Sequence, residues 1–298
     1  MIGSGGLLRL VGAAVLGAMA VTACSPLKTF NAIIPKDGGS SQIAKALAYG
    51  PDERQKLDIF APDAPAEGQA SARPIVVFFY GGSWNSGSRT GYDFVGRALA
   101  ARGYVTLVPD YRLVPDVRYP AFVEDGAAAV RWARENAARY GGDPDRIVLV
   151  GHSAGAYIAA MLAVDSRWLN TDREAVRGWV GLAGPYDFAP FDGPVTQQTF
   201  GNWPEPSETQ PVTWAGEGDP PALLLSGGDD TTVEPRNSRA LAAKLQAGGV
   251  PAEVKIYDGV SHVGIITSIA KPLRDNSPAL DDIAAFVDEV TKGEQVSQ

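Results

Sequence analysis

Two kinds of apolar pattern alternate along the chain. Ile75–Tyr80, Tyr104–Val108, Ile147–Val150, Leu223–Leu225 with its neighbours, and Val254–Tyr257 are short apolar runs of strand length. Runs of this kind fit parallel strands buried on both faces. Between them lie Phe94–Arg102, Phe122–Tyr140, Ala154–Val164, Asn237–Ala247 and Leu280–Val290, which read as amphipathic helices. Lys56–Phe60 alternates as an exposed strand does and stops at Pro62. Strand alternating with helix from Ala46 onward predicts an α/β domain over 46–292, a mostly parallel sheet with helices on both faces. One stretch breaks the rhythm: 188–220 is long and rich in Pro, Gly, Thr and Trp. A connection of that length inside a compact domain is usually functional, and here it predicts a small cap over a site.

The first residues follow another pattern. Met1–Thr22 carries a single charge, Arg9, and then the apolar run Leu10–Ala20. That run is shorter than the ~20 residues a membrane span needs, and it suits the core of a signal peptide. Val21-Thr22-Ala23-Cys24 resembles the bacterial lipoprotein signal, which implies a signal peptide over 1–23 and a lipid on Cys24. The resemblance also implies export to the periplasmic face of a membrane, with Ser25 favouring the outer one. Cys24 is the only cysteine, so without lipid it would be a free thiol in an oxidising compartment. From Ser25 to about Ser41 little periodicity remains, and 24–45 reads as a tether remote from any site. Residues 293–298 read as a tail.

Composition adds exclusions. Of 298 residues, 45% are hydrophobic and 20% charged, ordinary for a globular chain with ample core. The net charge of −8 supplies no basic surface for nucleic acid, and leaves a lipid anchor as the only expected hold on a membrane. No cluster has metal-ligand spacing and no glycine-rich phosphate loop occurs, so neither metal nor cofactor is expected.

Chemistry concentrates after the buried strands. Val148-Leu149-Val150-Gly151-His152-Ser153-Ala154-Gly155 is a strand running into Gly-x-Ser-x-Gly and then into a helix. A turn that tight needs glycines beside the serine, and it lifts the hydroxyl above the sheet with the Ala154 amide beside it. A serine hydroxyl needs a base, and the chain offers two histidines. His152 adjoins the serine on a turn that should point its ring away. His262 follows the last apolar run and completes the order Ser…Asp…His. Asp229 and Asp230, after Leu223–Leu225, both stand where the orienting acid belongs. Gly81-Gly82-Ser83-Trp84 follows a central strand, and its glycines let amides approach a developing oxyanion.

Together these motifs resemble the α/β-hydrolase superfamily of serine esterases, over roughly Ala46 to Val290. Gly81–Trp84 resembles the His-Gly-Gly-x-Trp loop of hormone-sensitive-lipase-like and bacterial feruloyl-esterase-like enzymes, with Tyr80 in place of the histidine. The match implies a nucleophile at Ser153, a base at His262, and an oxyanion hole from the amides of Gly82, Ser83 and Ala154. Gly227–Val233 resembles His-Gly-x-x-Asp-x-x-Val, which aligns the acid with Asp230 and an apolar anchor with Val233, while Ser226 replaces the histidine. Further likeness lies in Tyr49-Gly50-Pro51 with Leu57-Asp58, in Pro109–Leu113, and in Tyr119-Pro120-Ala121. Asp110 and Arg112 are expected as a structural ion pair or loop brace, Trp84 and Trp179 as core, and Trp203 and Trp214 as cap residues lining a pocket or packing on the surface. The implied activity is hydrolysis of small, short-chain acyl or aryl esters. Arylformamidases share the Gly-Gly-x-Trp loop, so amide cleavage is one alternative; a non-catalytic binding protein on the same scaffold is another, although such proteins typically lack one of the three residues.

Overall fold

The computed structural model describes residues 26–63 and 72–292. Eight strands form one sheet: β1 (Ser40–Ala48), β2 (Lys56–Pro62), β3 (Arg73–Phe79), β4 (Val105–Pro109), β5 (Gly142–His152), β6 (Val176–Leu182), β7 (Ala222–Gly227) and β8 (Ala252–Tyr257). Their spatial order is β1-β2-β4-β3-β5-β6-β7-β8. β2 runs antiparallel to both β1 and β4, and every other pair is parallel. The α helices are α1 (Pro26–Ile33), α2 (Asp93–Ala101), α3 (Ala121–Asn136), α4 (Ala154–Val164), α5 (Pro194–Phe200), α6 (Pro211–Trp214), α7 (Arg236–Ala247), α8 (His262–Thr267) and α9 (Ala279–Val290). This is an α/β-hydrolase fold. The apolar runs at Ile75, Val105, Ile147 and Leu223 are its buried central strands, as their lack of alternation requires.

Two strands escape the periodicity reading. β6 reads Val-Arg-Gly-Trp-Val-Gly-Leu, and its glycines dilute the apolar run. Packing accounts for both: a Cβ at Gly178 would press on Phe286, and one at Gly181 would collide with the Tyr186 hydroxyl. β1 is polar because it is an edge strand. Its pairing corrects the expectation for Lys56–Phe60, which is not exposed: Leu57 to Ala61 are buried between β1 and β4. One carboxylate oxygen of the buried Asp58, Oδ1, accepts from the Ala46 amide at 2.7 Å and from Arg89 Nε at 2.9 Å.

The tether reading is also corrected from Pro26 onward. α1 is docked on the domain, with Phe30 edge-on to Phe94 at 5.2 Å between ring centres. The buried Asn31 donates to the Thr90 carbonyl at 2.9 Å and accepts from the Phe94 amide at 3.0 Å, at the start of α2. Farther on, Asp37 pairs with Arg274 at 2.7 Å. A sparse apolar pattern suffices here because one face of α1 packs on the turn at Arg89–Gly91 and on Phe94 at the start of α2, while the other is solvated. Residues 1–23, Cys24 and 293–298 lie outside the described residues. Among those described, no helix is long and apolar enough to cross a membrane.

The 188–220 stretch is a cap of short helical turns, α5, a 3₁₀ turn at Pro206–Thr209, and α6. Its Phe188, Phe191 and Phe200 interlock with one another and rest on Trp84 and Tyr157. The prolines and glycines that suppress a helical pattern mark where these turns start and stop.

Candidate active site

β5 ends at His152 and α4 begins at Ala154, leaving Ser153 alone to turn the chain at φ 53°, ψ −121°. A non-glycine residue in that region is strained and persists only where its surroundings dictate it. They do so here through close packing. A Cβ at Gly151 would collide with the Gly155 carbonyl, and one at Gly155 with the carbonyl of Phe79 on β3. Ser153 is further pinned by its amide, which donates to Leu182 O on β6 at 2.8 Å.

His262 opens α8, whose start is capped by Ser261 Oγ accepting from the Gly264 amide at 3.1 Å. Its Nε2 lies 2.9 Å from Ser153 Oγ and its Nδ1 2.8 Å from Asp230 Oδ2. A carboxylate only accepts, so the proton sits on Nδ1, and Nε2 is free to accept from the serine hydroxyl. Asp230 is 3% exposed, and its second oxygen accepts from the amides of Thr232 and Val233 at 2.9 and 2.8 Å. Of the two candidate acids, the structure therefore brings Asp230 to the histidine. Asp229 is exposed, and its carboxylate has no partner among the described residues.

The loop after β3 is shaped by Gly82 at φ 135°, where a Cβ would strike the Ser86 carbonyl. Gly82 O is occupied, accepting from the Ser86 amide at 3.0 Å and from Ser86 Oγ at 2.9 Å. The amides of Gly82, Ser83 and Ala154 find no acceptor among the described residues, and all three residues line the space next to Ser153.

Tyr80, which stands where related loops carry histidine, anchors this loop from below. Its ring is stacked between Tyr92 and Tyr111, with centres at 5.4 and 4.7 Å. Its hydroxyl donates to Asp110 Oδ1 at 2.9 Å and accepts from Arg54 at 3.0 Å. Burial, reinforced by the Asp110 charge, holds the phenol's pKa well above its usual value, so it remains a donor. Asp110 and Arg112 are braces, but not of each other: Asp110 pairs with Arg89, and Arg112 with the buried Asp125 at 2.8 Å. Asp110 thus braces the loop after β3, and Arg112 the first turns of α3. Ser226 bonds to Ser238 at 2.8 Å, away from the triad.

Two half-open hollows meet at Ser153. One, of about 280 Å³, is bounded by His262, Val263, Tyr92, Ser86 and, from α1, Leu27 and Lys28. The other, of about 210 Å³, is bounded by Trp84, Pro185, Phe188, Val195, Thr196 and Val233. Trp84 is thus both core and pocket wall. Trp203 and Trp214 line neither; they bond to Glu208 at 3.1 and 2.8 Å, and Trp214 carries Arg167 over its ring. The place of α1 in the cleft corrects the view of this segment as remote. No periodicity could have announced it, because the contact is tertiary. Among the described residues no cluster of His, Cys, Asp and Glu could hold a metal ion.

His152 does point away from the serine, but it is not idle. Its Nε2 donates to the His262 carbonyl at 3.1 Å, tying the β5 turn to α8. Its Nδ1 is buried without a partner among the described residues. Burial, and then the neighbouring His262, lower its pKa from 6.5 to about 3. Between those two values the unfolded chain binds a proton that the folded His152 refuses, so stability falls as pH drops through that window, by about 1.4 kcal/mol per unit. Denaturant unfolding of the parent and of His152→Gln at pH 7 and pH 5 measures this. The parent should lose roughly 2 kcal/mol more than the variant over that interval; equal losses would mean that His152 protonates freely in the fold.

Comparison with known proteins agrees with this fold. The family model described as BD-FAE matches residues 57–245, from β2 to near the end of α7. Isoprenylcysteine alpha-carbonyl methylesterase ICME of Arabidopsis thaliana is 28% identical over 275 residues, covering 83% of this chain and 62% of the relative. Esterase LipC of Mycobacterium tuberculosis is 30% identical over 229 residues, 68% of this chain and 55% of the relative. The chain thus spans only about 55–62% of the length of these two curated relatives. Among solved structures, a truncated carbohydrate esterase from gut microbiota superposes with a TM-score of 0.73 at 21% identity, over 87% of this chain and 100% of that one. Apo esterase 2 of Thermogutta terrifontis gives 0.66 at 26% identity, over 86% and 94%. With its fold, its strand–turn–helix at Ser153 and a match over most of its length, the chain belongs to the BD-FAE family.

Proposed function

We propose that the chain is a serine carboxylic-ester hydrolase working through a covalent acyl-enzyme. The observation that carries this reading is the continuous hydrogen-bonded path from Ser153 Oγ through His262 to the buried Asp230. His262 Nε2 takes the hydroxyl proton as Ser153 Oγ attacks the ester carbonyl carbon. The negative charge that develops on the carbonyl oxygen is received by the amides of Gly82, Ser83 and Ala154. Asp230 keeps the ring oriented and stabilises its transient positive charge. Collapse breaks the bond to the alcohol oxygen, which leaves with the proton from His262. Water then repeats the sequence and releases the acid.

The proton donor must reach the leaving oxygen. The hollow that includes His262 in its wall therefore takes the alcohol, and the one behind Trp84 and Phe188 takes the acyl group. The names of the similar proteins, a methylesterase, an esterase and a carbohydrate esterase, share ester cleavage while differing in substrate.

Ser153→Ala and His262→Ala should each lower turnover of an aryl acetate by roughly four orders of magnitude or more, with the double variant little worse, because the residues act as a unit. Asp230→Asn should lose far more rate than Asp229→Asn. Near-parental turnover by Ser153→Ala would refute the mechanism.

The acyl hollow is small, about 210 Å³, and walled by Trp84, Phe188, Val195 and Val233, which favours chains of about two to six carbons. Each methylene it accommodates adds up to ~0.8 kcal/mol, and the gain ends when the space is filled. For esters of one alcohol, kcat/KM should peak before eight carbons. Faster cleavage of palmitate than butyrate would contradict this reading of the cap.

Export and lipid attachment belong to the same proposal and rest on the run Leu10–Ala20 followed by Val21–Cys24. Mass spectrometry of the mature N-terminus should find a diacylglyceryl group on Cys24. A mature chain that starts at an unmodified Cys24, or beyond it, rules the anchor out.

A further inference from the structure

The alcohol-side hollow differs in character from the acyl side. Of the side chains bounding it, Lys28 alone carries a permanent charge; the rest are Gly, Ser, Thr, Tyr, Leu, Val and the two histidines. Lys28 is exposed, and among the described residues it has no carboxylate partner. Its aliphatic stem lies along Gly91, where an added Cβ would sit 3.5 Å from Lys28 Cγ. Gly91 itself borders the hollow, so the lysine stem that runs along it lies at the rim. The helix that carries Lys28 is held in place by the two hydrogen bonds of the buried Asn31. No Asp or Glu borders the hollow to cancel the charge.

We infer that Lys28 is a specificity-determining residue that selects esters whose alcohol portion carries a carboxylate. The inference rests on the ester-hydrolase reading and on the assignment of the His262 hollow to the alcohol. An acetyl ester of such an alcohol places its carbonyl at Ser153, its methyl toward Trp84 and its carboxylate toward the Lys28 ammonium. The attraction acts at the half-solvated rim, so its effect on kcat/KM is modest and sensitive to salt.

The test uses two pairs of esters that differ only in charge. The first is 3-carboxyphenyl acetate against 3-carbamoylphenyl acetate, with the charge on the alcohol. The second is phenyl hemisuccinate against phenyl succinamate, with the charge on the acyl group. In the parent, kcat/KM should favour the 3-carboxyphenyl ester over its amide about two- to fivefold at low salt. That ratio should fall toward one in Lys28→Met, drop below one in Lys28→Glu, survive in Lys28→Arg, and shrink in the parent as salt is raised. A merely structural role would not order the variants by charge. The neutral ester of each pair is the internal reference for folding.

A ratio indifferent to the charge at position 28 overturns the inference. So does a charge-ordered effect confined to the succinate pair, which would put the acyl group against Lys28. Failure of the parent to cleave any of the four esters refutes the ester-hydrolase reading instead, which separates the two failures.

Discussion

The site depends on the backbone turn at Ser153. Its left-handed φ lets a buried parallel strand end and a buried helix begin within one residue, so α4 lies directly against β3 and β5. Only glycine at 151 and 155 permits that approach, because backbone carbonyls occupy the space any Cβ would need. From this packing the other placements follow. The Ala154 amide faces outward at the helix start, the loop leaving β3 passes beside it, and the serine hydroxyl stands at the carboxyl edge of the sheet, where α/β folds build their sites.

The remaining parts are fixed by polar groups whose alternatives have been removed. Asp230 spends one oxygen on two amides and so offers the other to His262. His152 donates to the carbonyl of His262, which couples the serine turn to α8. Beneath the glycine loop, the stack of Tyr92, Tyr80 and Tyr111 with the Asp110 and Arg54 contacts supplies a stiff floor. The histidine of related loops is thus replaced here by a phenol with its own hydrogen-bond network. Preorganisation of this kind is what makes amide dipoles effective toward developing charge.

Much of this was legible in the sequence, for identifiable reasons. Central strands lie between two helix layers, so Ile75–Phe79 and Ile147–Val150 are apolar without interruption, and glycines around Ser153 and at Gly82 mark forced close approach. β6 was illegible because its glycines answer to Phe286 and Tyr186, residues far along the chain. β1 was illegible because an edge strand needs little apolar content. The likeness of Gly227–Val233 to a known pattern favoured Asp230 over Asp229 without a physical reason; that reason is tertiary, the amides of Thr232 and Val233 folded back on one carboxylate. The partners of Asp110 and Arg112 were likewise hidden, since Arg89 and Asp125 reach them only through the fold.

The walls of the cleft have a different origin from its floor. Ser153, Asp230 and His262 follow β5, β7 and β8, whereas Lys28 comes from a helix preceding the whole sheet and Phe188 from the connection after β6. Neither wall contributes a strand to the sheet. Lys28, exposed at the rim, can therefore be exchanged at small cost to folding, whereas Phe188 packs on the core residue Trp84 and its exchange is felt by the fold as well.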